Sequence, residues 1–211
     1  MTKDIKAIVI ACNTASALAM EAAQKEFDIP IIGVIEPGAK AAASCSKNNT
    51  IGIIGTEGTI NSSAYQRRIR KILPGAEIIG VACPLFVPIV EEGWENSDVA
   101  ELAARKYLLD LQEHNIDTLV LGCTHYPALR YTIGKILGEK ITLVNPAYET
   151  AKLTKNVLKE EGLLNDKIDG GTYEYYVSDA PIKFQRIGGN IISREIDLVE
   201  KVDIEAVKVN E

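Results

Sequence analysis

The sequence predicts an α/β protein in which helices cover both faces of parallel β-sheets. Six short runs rich in β-branched residues alternate with longer stretches of helical propensity, which is the order of repeated strand–helix units. The runs are apolar almost throughout, as is typical of strands that are buried on both faces of a parallel sheet. These two observations favour parallel sheet over antiparallel sheet.

The elements follow one another regularly as far as residue 161. The predicted strands are 5–11, 31–35, 50–55, 77–82, 117–122 and 141–145. The predicted helices are 15–27, 38–46, 64–73, 99–114, 128–137 and 147–161. Beyond them the sequence changes to Gly170-Gly171, a tyrosine-rich run and an apolar alternation from Ile196 to Val202. We expect this tail to complete a sheet that begins near the N-terminus.

Composition and charge exclude several classes of protein. Of the 211 residues, 46% are hydrophobic and 25% are charged, which is the balance of a folded globular protein. The 29 acidic residues outnumber the 23 basic ones and give a formal charge of −6, so no overall basic field attracts nucleic acid. No apolar run approaches the roughly 18 residues of a membrane span, and the first residues lack the order of a signal peptide. We therefore expect a cytoplasmic protein with neither nucleic acid nor membrane as a partner.

Four cysteines, at positions 12, 45, 83 and 123, lie at least 33 residues apart. No closely spaced pair indicates a zinc site or a disulfide framework, and the chain has only 2 histidines. The sequence therefore predicts no metal. A scattered cysteine usually behaves as a small buried hydrophobe, and we assign that packing role to Cys45 and Cys83.

Cys12 and Cys123 differ because their surroundings repeat. IVIACNTAS at 8–16 is similar to LVLGCTHYP at 119–127, so each cysteine follows a strand and precedes a helical stretch. Ligands bind outside the carboxyl ends of parallel strands, and a thiol beside a helix N-terminus can have a lowered pKa. Two such thiols suit inversion at carbon, in which one group removes a proton from one face and the other delivers a proton to the opposite face.

Two other interpretations stay open at this point. Strand–helix units resemble one another, and Thr or Asn after a strand is a common helix cap. Alternatively, Cys123 and His125 could form an acyl-transfer dyad, although that reaction leaves Cys12 unused. In the two-thiol interpretation, the side chains of Asn13, Thr14 and Thr124 supply neutral donors to a substrate.

Five segments resemble the glutamate racemase family, within the aspartate/glutamate racemase superfamily, in the same order and with similar spacing. They are ACNTASA at 11–17, GVIEPGA at 33–39, IGTEGTI at 54–60, ACPLFVPIVEEG at 82–93 and LGCTHYP at 121–127. The resemblance implies an isomerase that interconverts L- and D-glutamate without a cofactor and supplies D-glutamate for peptidoglycan and cell-wall biosynthesis. It also implies two similar α/β domains with the active site in the cleft between them, and a homodimer.

Carried over position by position, the resemblance assigns roles to nine residues. Cys12 matches the thiol that removes the α-proton of D-glutamate, and Cys123 matches the one that acts on L-glutamate. Glu91 and His125 match an acidic residue near Cys123 and its auxiliary partner. The matches to substrate-binding positions are Asn13, Thr14, Thr56, Thr59 and Thr124. Thr56 and Thr59 are equally well suited to capping the helix that follows.

The chain departs from the family pattern at its N-terminus. Family members begin with a strand ending in Asp-Ser-Gly, a helix and a later Pro-Tyr-Gly, and nothing similar precedes residue 5. If Cys12 and Cys123 face each other across a cleft, each follows a strand of a different domain, so we expect a first domain of residues 1–35 and 145–211, incomplete at its start, and a second domain of residues 36–144. A fragment, a misassigned start and a natural truncation remain alternatives, and we expect the 211 residues alone to be inactive and self-associating.

Two further functions stay open beside glutamate racemisation. The chain could be a related racemase that acts on another amino acid, because the resemblance places some of the residues that decide substrate specificity in the family's N-terminal segment. It could also be an inactive remnant that binds a ligand or a protein.

Overall fold

A computed structural model describes residues 5–167 and 170–204. Its backbone contacts divide the chain after Leu164 into two units. Strand pairing in both units is parallel, which confirms the predicted α/β class. The domain boundaries expected from the repeated cysteine motif remain a prediction.

Six strands in the described part of the first unit form two sheets. They are β1 (Ile8–Ile10), β2 (Ile31–Gly33), β3 (Thr50–Gly55), β4 (Glu77–Ala82), β5 (Thr118–Gly122) and β6 (Thr142–Val144), each within a predicted strand. β1 pairs with β2, and the other four follow the order β4-β3-β5-β6. Gly55 is in register with both Ala82 and Gly122. The carboxyl ends of β3, β4 and β5 therefore lie at the same edge of the sheet.

The helices of this unit agree with six predicted stretches and add short elements between them. They are α1 (Asn13–Leu18), α2 (Met20–Glu26), α3 (Ile35–Cys45), α4 (Glu57–Asn61), α5 (Ala64–Ile72), α6 (Phe86–Glu91), α7 (Asp98–Glu113), α8 (Arg130–Leu137) and α9 (Pro146–Glu160), with a 3-10 turn at Tyr126–Leu129. The predicted helix 15–27 is broken at Ala19, whose ψ of −3° ends the first segment. α4 and α6 were not predicted.

Two hydrophobic clusters cover the two faces of the four-stranded sheet. Ile51, Ile53 and Val120 belong to the cluster that includes Ala39 of α3 and Ile69 of α5. The neighbouring strand residues Ile54, Leu119 and Leu121 belong to the other, with residues of α7 and α8. Alternate strand residues face opposite sides of a sheet, so both faces are buried. This burial is what the continuous apolar runs predicted.

The described part of the second unit contains β7 (Tyr176–Val177), α10 (Pro181–Ile192) and β8 (Glu200–Lys201). β8 pairs with β7 in a two-stranded sheet of their own. The tail was expected to complete the N-terminal sheet, and that expectation was wrong for the described strand, because β8 takes its hydrogen-bond partner from within the tail. None of the described helices is both long enough and apolar enough to cross a membrane.

Candidate active site

Cys12 lies at the junction between β1 and α1. It is the N-cap of α1, with an extended backbone at φ −80° and ψ 126°, and its side chain makes no capping hydrogen bond. The thiol is exposed. Ser16 fixes the junction, because its Oγ donates to the carbonyl of Ile10 at 2.8 Å and accepts from the N–H of Val34 at 3.2 Å. The ends of β1 and β2 thus hold Cys12 in place.

Cys123 occupies the equivalent place after β5 but is buried, with 9% of its surface exposed. Its sulfur lies 3.9 Å from Nδ1 of His125. Nε2 of His125 lies 3.4 Å from Oε1 of Glu91, at the end of α6. The carboxylate, the imidazole and the thiol therefore form a continuous row. The structure brings these three predicted residues together.

A hydrogen bond joins the two cysteine junctions across the sequence. Thr124 donates from Oγ1 to the carbonyl oxygen of Ala11 at 3.2 Å. Standard bond lengths then limit the distance between the Cα atoms of Cys12 and Cys123 to about 12 Å at most. The charge of Cys12 also contributes to the pKa of Cys123. The two thiols therefore lie near each other, as a shared site requires.

The environment of Cys123 raises its pKa. Burial is the largest cause, and the charge of Cys12 acts in the same direction. The backbone N–H groups of His125, Tyr126 and Thr124 oppose these effects and stabilise the thiolate. The sequence predicted a lowered pKa for a thiol beside a helix N-terminus. That prediction was wrong for Cys123, because the loss of water outweighs the donated hydrogen bonds.

Three predicted threonines form a hydroxyl cluster. Oγ1 of Thr14 lies 2.7 Å from Oγ1 of Thr56 and 3.1 Å from Oγ1 of Thr59. Thr56 is also the N-cap of α4 and accepts from the N–H of Thr59 at 3.3 Å. The capping role considered for Thr56 is therefore confirmed. Since each hydroxyl both donates and accepts, the cluster can also turn donors toward a carboxylate.

Asn13 is buried beside Cys12, and its partner is a residue that sequence analysis did not select. Tyr65, on α5, donates from its hydroxyl to Oδ1 of Asn13 at 2.7 Å. The spacing of Tyr65 and Ile69 on one face of α5 indicated a buried tyrosine. A buried tyrosine hydroxyl usually needs a hydrogen-bond partner, but no pattern in the sequence identifies Asn13 as that partner.

Comparison with known proteins decides the family. The model of the Asp/Glu/Hydantoin racemase family matches residues 2–154. The chain belongs to the Asp/Glu/Hydantoin racemase family. This result confirms the resemblance found in the sequence motifs.

Individual racemases match nearly the whole chain, both in sequence and in solved structures. A glutamate racemase from Geobacter metallireducens is 49% identical over 206 residues, which are 98% of this chain and 76% of the relative. The crystal structure of a glutamate racemase from Bacillus anthracis superposes with a TM-score of 0.90 at 37% identity, covering 95% of this chain and 74% of that one. The crystal structure of a glutamate racemase from Francisella tularensis in complex with D-glutamate superposes with a TM-score of 0.87 at 39% identity, covering 94% of this chain and 74% of that one.

The remaining cysteines of this racemase-family chain lie outside the site just described. Cys83 is buried after β4, and burial raises its pKa to about 12, so the packing role predicted for it is confirmed. Cys45, at the end of α3, is exposed, and the packing role predicted for it was wrong. Within residues 5–167 and 170–204, no group of three or more His, Cys, Asp or Glu side chains is arranged to hold a metal ion.

Proposed function

We propose that this chain carries the active site of a glutamate racemase, which interconverts L- and D-glutamate without a cofactor. The single observation that carries the proposal is the pairing of two strand-end cysteines, joined by the hydrogen bond from Thr124 to Ala11. The names of the relatives support glutamate as the substrate, and one of them is bound to D-glutamate. The product D-glutamate serves peptidoglycan biosynthesis, as the family resemblance implies.

The reaction uses the two thiols in opposite protonation states. In the D-to-L direction the Cys12 thiolate removes the α-proton, and the electron pair of the C–H bond is left on the α-carbon. The Cys123 thiol then delivers its proton to the opposite face, leaving a Cys12 thiol and a Cys123 thiolate. L-glutamate reacts by the reverse steps. Burial favours the protonated form of Cys123, which is the form that donates a proton in the D-to-L direction.

The other site residues orient the thiols and the substrate. Glu91 holds His125, and His125 lies beside the Cys123 sulfur, so the pair can accept or return the thiol proton. The hydroxyls of Thr14, Thr56 and Thr59 and the amide of Asn13 bind the carboxylates of glutamate. Thr124 keeps the two cysteine junctions in contact.

Racemisation of glutamate, followed by circular dichroism from either enantiomer, tests this function. The 211-residue chain and the product of the complete reading frame that contains it are assayed side by side, with D- and L-aspartate as competing substrates. The proposal expects the complete product to invert glutamate with a higher kcat/KM than aspartate. Inversion of aspartate alone would show a different substrate, and no inversion of either would contradict the two-thiol reaction.

We also propose that the protein is a homodimer. α7 exposes Val99, Leu102 and Leu109 to solvent, and these residues recur along the helix at spacings that place them on one side. Exposed apolar stripes of this kind are typical of contacts between subunits. Light scattering coupled to gel filtration measures the mass directly, and a monomer at micromolar concentration would contradict the proposal.

A further inference from the structure

Tyr65 and Asn13 form a buried hydrogen bond directly behind the first thiol. Asn13 follows Cys12 in sequence, begins α1 and is 4% exposed. Tyr65 is 1% exposed, and its ring packs in the cluster that also contains Ile51 and Val120. The 2.7 Å contact joins the phenol oxygen to Oδ1 of the amide. The pair thus connects the core of the sheet to the candidate site.

The hydrogen bond runs from Tyr65 to Asn13, because the phenol oxygen contacts Oδ1 of the amide and not its nitrogen. Burial raises the pKa of Tyr65 above its ordinary value, so the phenol stays protonated and can donate. An amide oxygen only accepts, whereas the amide nitrogen only donates. Since Oδ1 receives the phenol proton, the NH2 group of Asn13 points away from Tyr65.

The amide nitrogen is left with its donors available. Among the described residues, Nδ2 of Asn13 makes no hydrogen bond, and it is not one of the buried polar atoms cut off from solvent without a partner. An amide NH2 group that has no acceptor among these residues and lies beside Cys12 is a donor pair for an anion. The ammonium group of an amino acid cannot use it, because ammonium also only donates.

We propose that Tyr65 is a positioning residue, which holds the Asn13 amide so that its NH2 group binds a carboxylate of the substrate. This inference rests on the proposed function, because it takes glutamate as the ligand. What it adds to the site is a buried tyrosine that acts on the substrate only through the Asn13 amide.

The fold keeps the phenol in one place. A Cβ added at Gly38 of α3 would lie 3.0 Å from the Tyr65 hydroxyl and equally close to the ring of Pro146. The helix backbone therefore passes close to the phenol, and a side chain at position 38 would require the hydroxyl or the proline ring to shift. The hydroxyl is confined between α3 and Asn13, so a rotation of the amide would leave a buried hydroxyl without its acceptor.

Binding without turnover separates this role from catalysis. The measurement is calorimetric titration of D- and L-glutamate into the product of the complete reading frame carrying Cys12→Ser and Cys123→Ser. In that parent, Tyr65→Phe should weaken glutamate binding roughly 5- to 100-fold, since an amide that can rotate no longer presents its donors reliably. Tyr107→Phe is the matched control. Its hydroxyl accepts from the N–H of Leu85 at 3.4 Å, and its loss should leave the affinity unchanged.

Two further variants test whether the NH2 group or the oxygen of the Asn13 amide faces the substrate. Asn13→Asp keeps the bond to Tyr65 and replaces the NH2 group by an acceptor, so it should weaken binding more than Asn13→Ala does. Tyr65→Phe should add little in the Asn13→Ala background, because the tyrosine acts through that amide.

Three results would overturn the assignment in distinguishable ways. Equal or better binding by Asn13→Asp than by Asn13→Ala would show that the amide oxygen faces the ammonium group. Full additivity of Tyr65→Phe and Asn13→Ala would show that the tyrosine acts only through packing. If the parent bound neither enantiomer of glutamate, the proposed substrate would be wrong, and the assigned carboxylate with it.

Discussion

Cys12 and Cys123 are equivalent in sequence but unequal in environment. Cys12 is exposed at the start of α1, whereas Cys123 is buried beside His125. Burial and the charge of Cys12 both raise the pKa of Cys123. Two neighbouring thiols of this kind resist ionising together. Ionisation of both thiols at once is therefore disfavoured, and each direction of the reaction requires one thiol and one thiolate.

The pH dependence of the reaction follows from the raised pKa of Cys123. The enzyme loses activity at high pH when the second thiol also ionises, so no proton donor remains. Because the pKa of Cys123 is raised, the alkaline fall in kcat/KM should lie above the ordinary thiol value of about 8.5. The alkaline fall in kcat/KM should occur at the same pH with D-glutamate and with L-glutamate. A fall centred below that value, measured with either enantiomer, would contradict the assignment of Cys123.

The threonine cluster gives a second prediction for single residues. Thr14→Val removes the hydroxyl that contacts both Thr56 and Thr59, and it should raise KM for glutamate roughly 10-fold, the effect of about one hydrogen bond to a charged group. Thr154→Val is the control, because that hydroxyl only bonds to the carbonyl of Thr150 within α9. Initial rates over a range of glutamate concentrations give the KM of both variants. An unchanged KM for Thr14→Val would remove the cluster from the binding site.

At the level of elements, the site depends on the close approach of β3 and β5 where they end. A Cβ at Gly122 would lie 2.6 Å from the carbonyl oxygen of Ile54, and backbone atoms of a central strand cannot move aside cheaply. Gly122 directly precedes Cys123. The strand pair therefore sets the position of the buried thiol.

Gly122→Ala tests this dependence. It should lower the free energy of unfolding by about 1–3 kcal/mol, because the strands must separate to admit the methyl group, and it should reduce activity. Gly134→Ala is the matched control on α8, where a Cβ meets nothing within 4 Å, and helix propensity there favours alanine by up to about 1 kcal/mol. Urea titration measures the free energy of unfolding of both variants. Equal stability of the two variants would show that the approach of β5 to β3 is not tight.

At the scale of the whole molecule, the four cysteines should differ in reactivity. Cys12 and Cys45 are exposed, while Cys83 and Cys123 are buried. Iodoacetamide, with the labelled sites mapped by mass spectrometry, should therefore modify Cys12 and Cys45 first and Cys83 only after unfolding. D-glutamate should protect Cys12 but not Cys45. Equal protection of both, or rapid labelling of Cys83 in the folded protein, would contradict the described arrangement.

Local patterns sufficed for much of this structure. Each of the six predicted strands contains a strand of the first unit, because buried parallel strands have a distinctive apolar run. The repeated cysteine motif predicted a shared site, because each copy places its thiol at the carboxyl end of a parallel strand, where ligands bind; the hydrogen bond from Thr124 to Ala11 agrees with that prediction. α4 and α6 were missed because helices of five and six residues are too short to show a period.

The remaining features depend on contacts between distant residues. The burial that raises the pKa of Cys123 comes from packing around it. The bond between Tyr65 and Asn13 joins α5 to α1 across 52 positions, and no local pattern predicts such a pair. The pairing of β8 with β7 was missed for the same reason, because strand partners depend on the path of the chain between them.

Loss of either thiol tests the central claim most directly. Cys12→Ser and Cys123→Ser are compared with Cys45→Ser in the product of the complete reading frame, and racemisation is followed by circular dichroism from each enantiomer of glutamate. Each of the first two variants should lose roughly 10²–10⁴-fold in turnover, because one proton transfer lacks its group, while Cys45→Ser keeps the normal rate. Near-normal turnover by either Cys12→Ser or Cys123→Ser would contradict the two-thiol reaction.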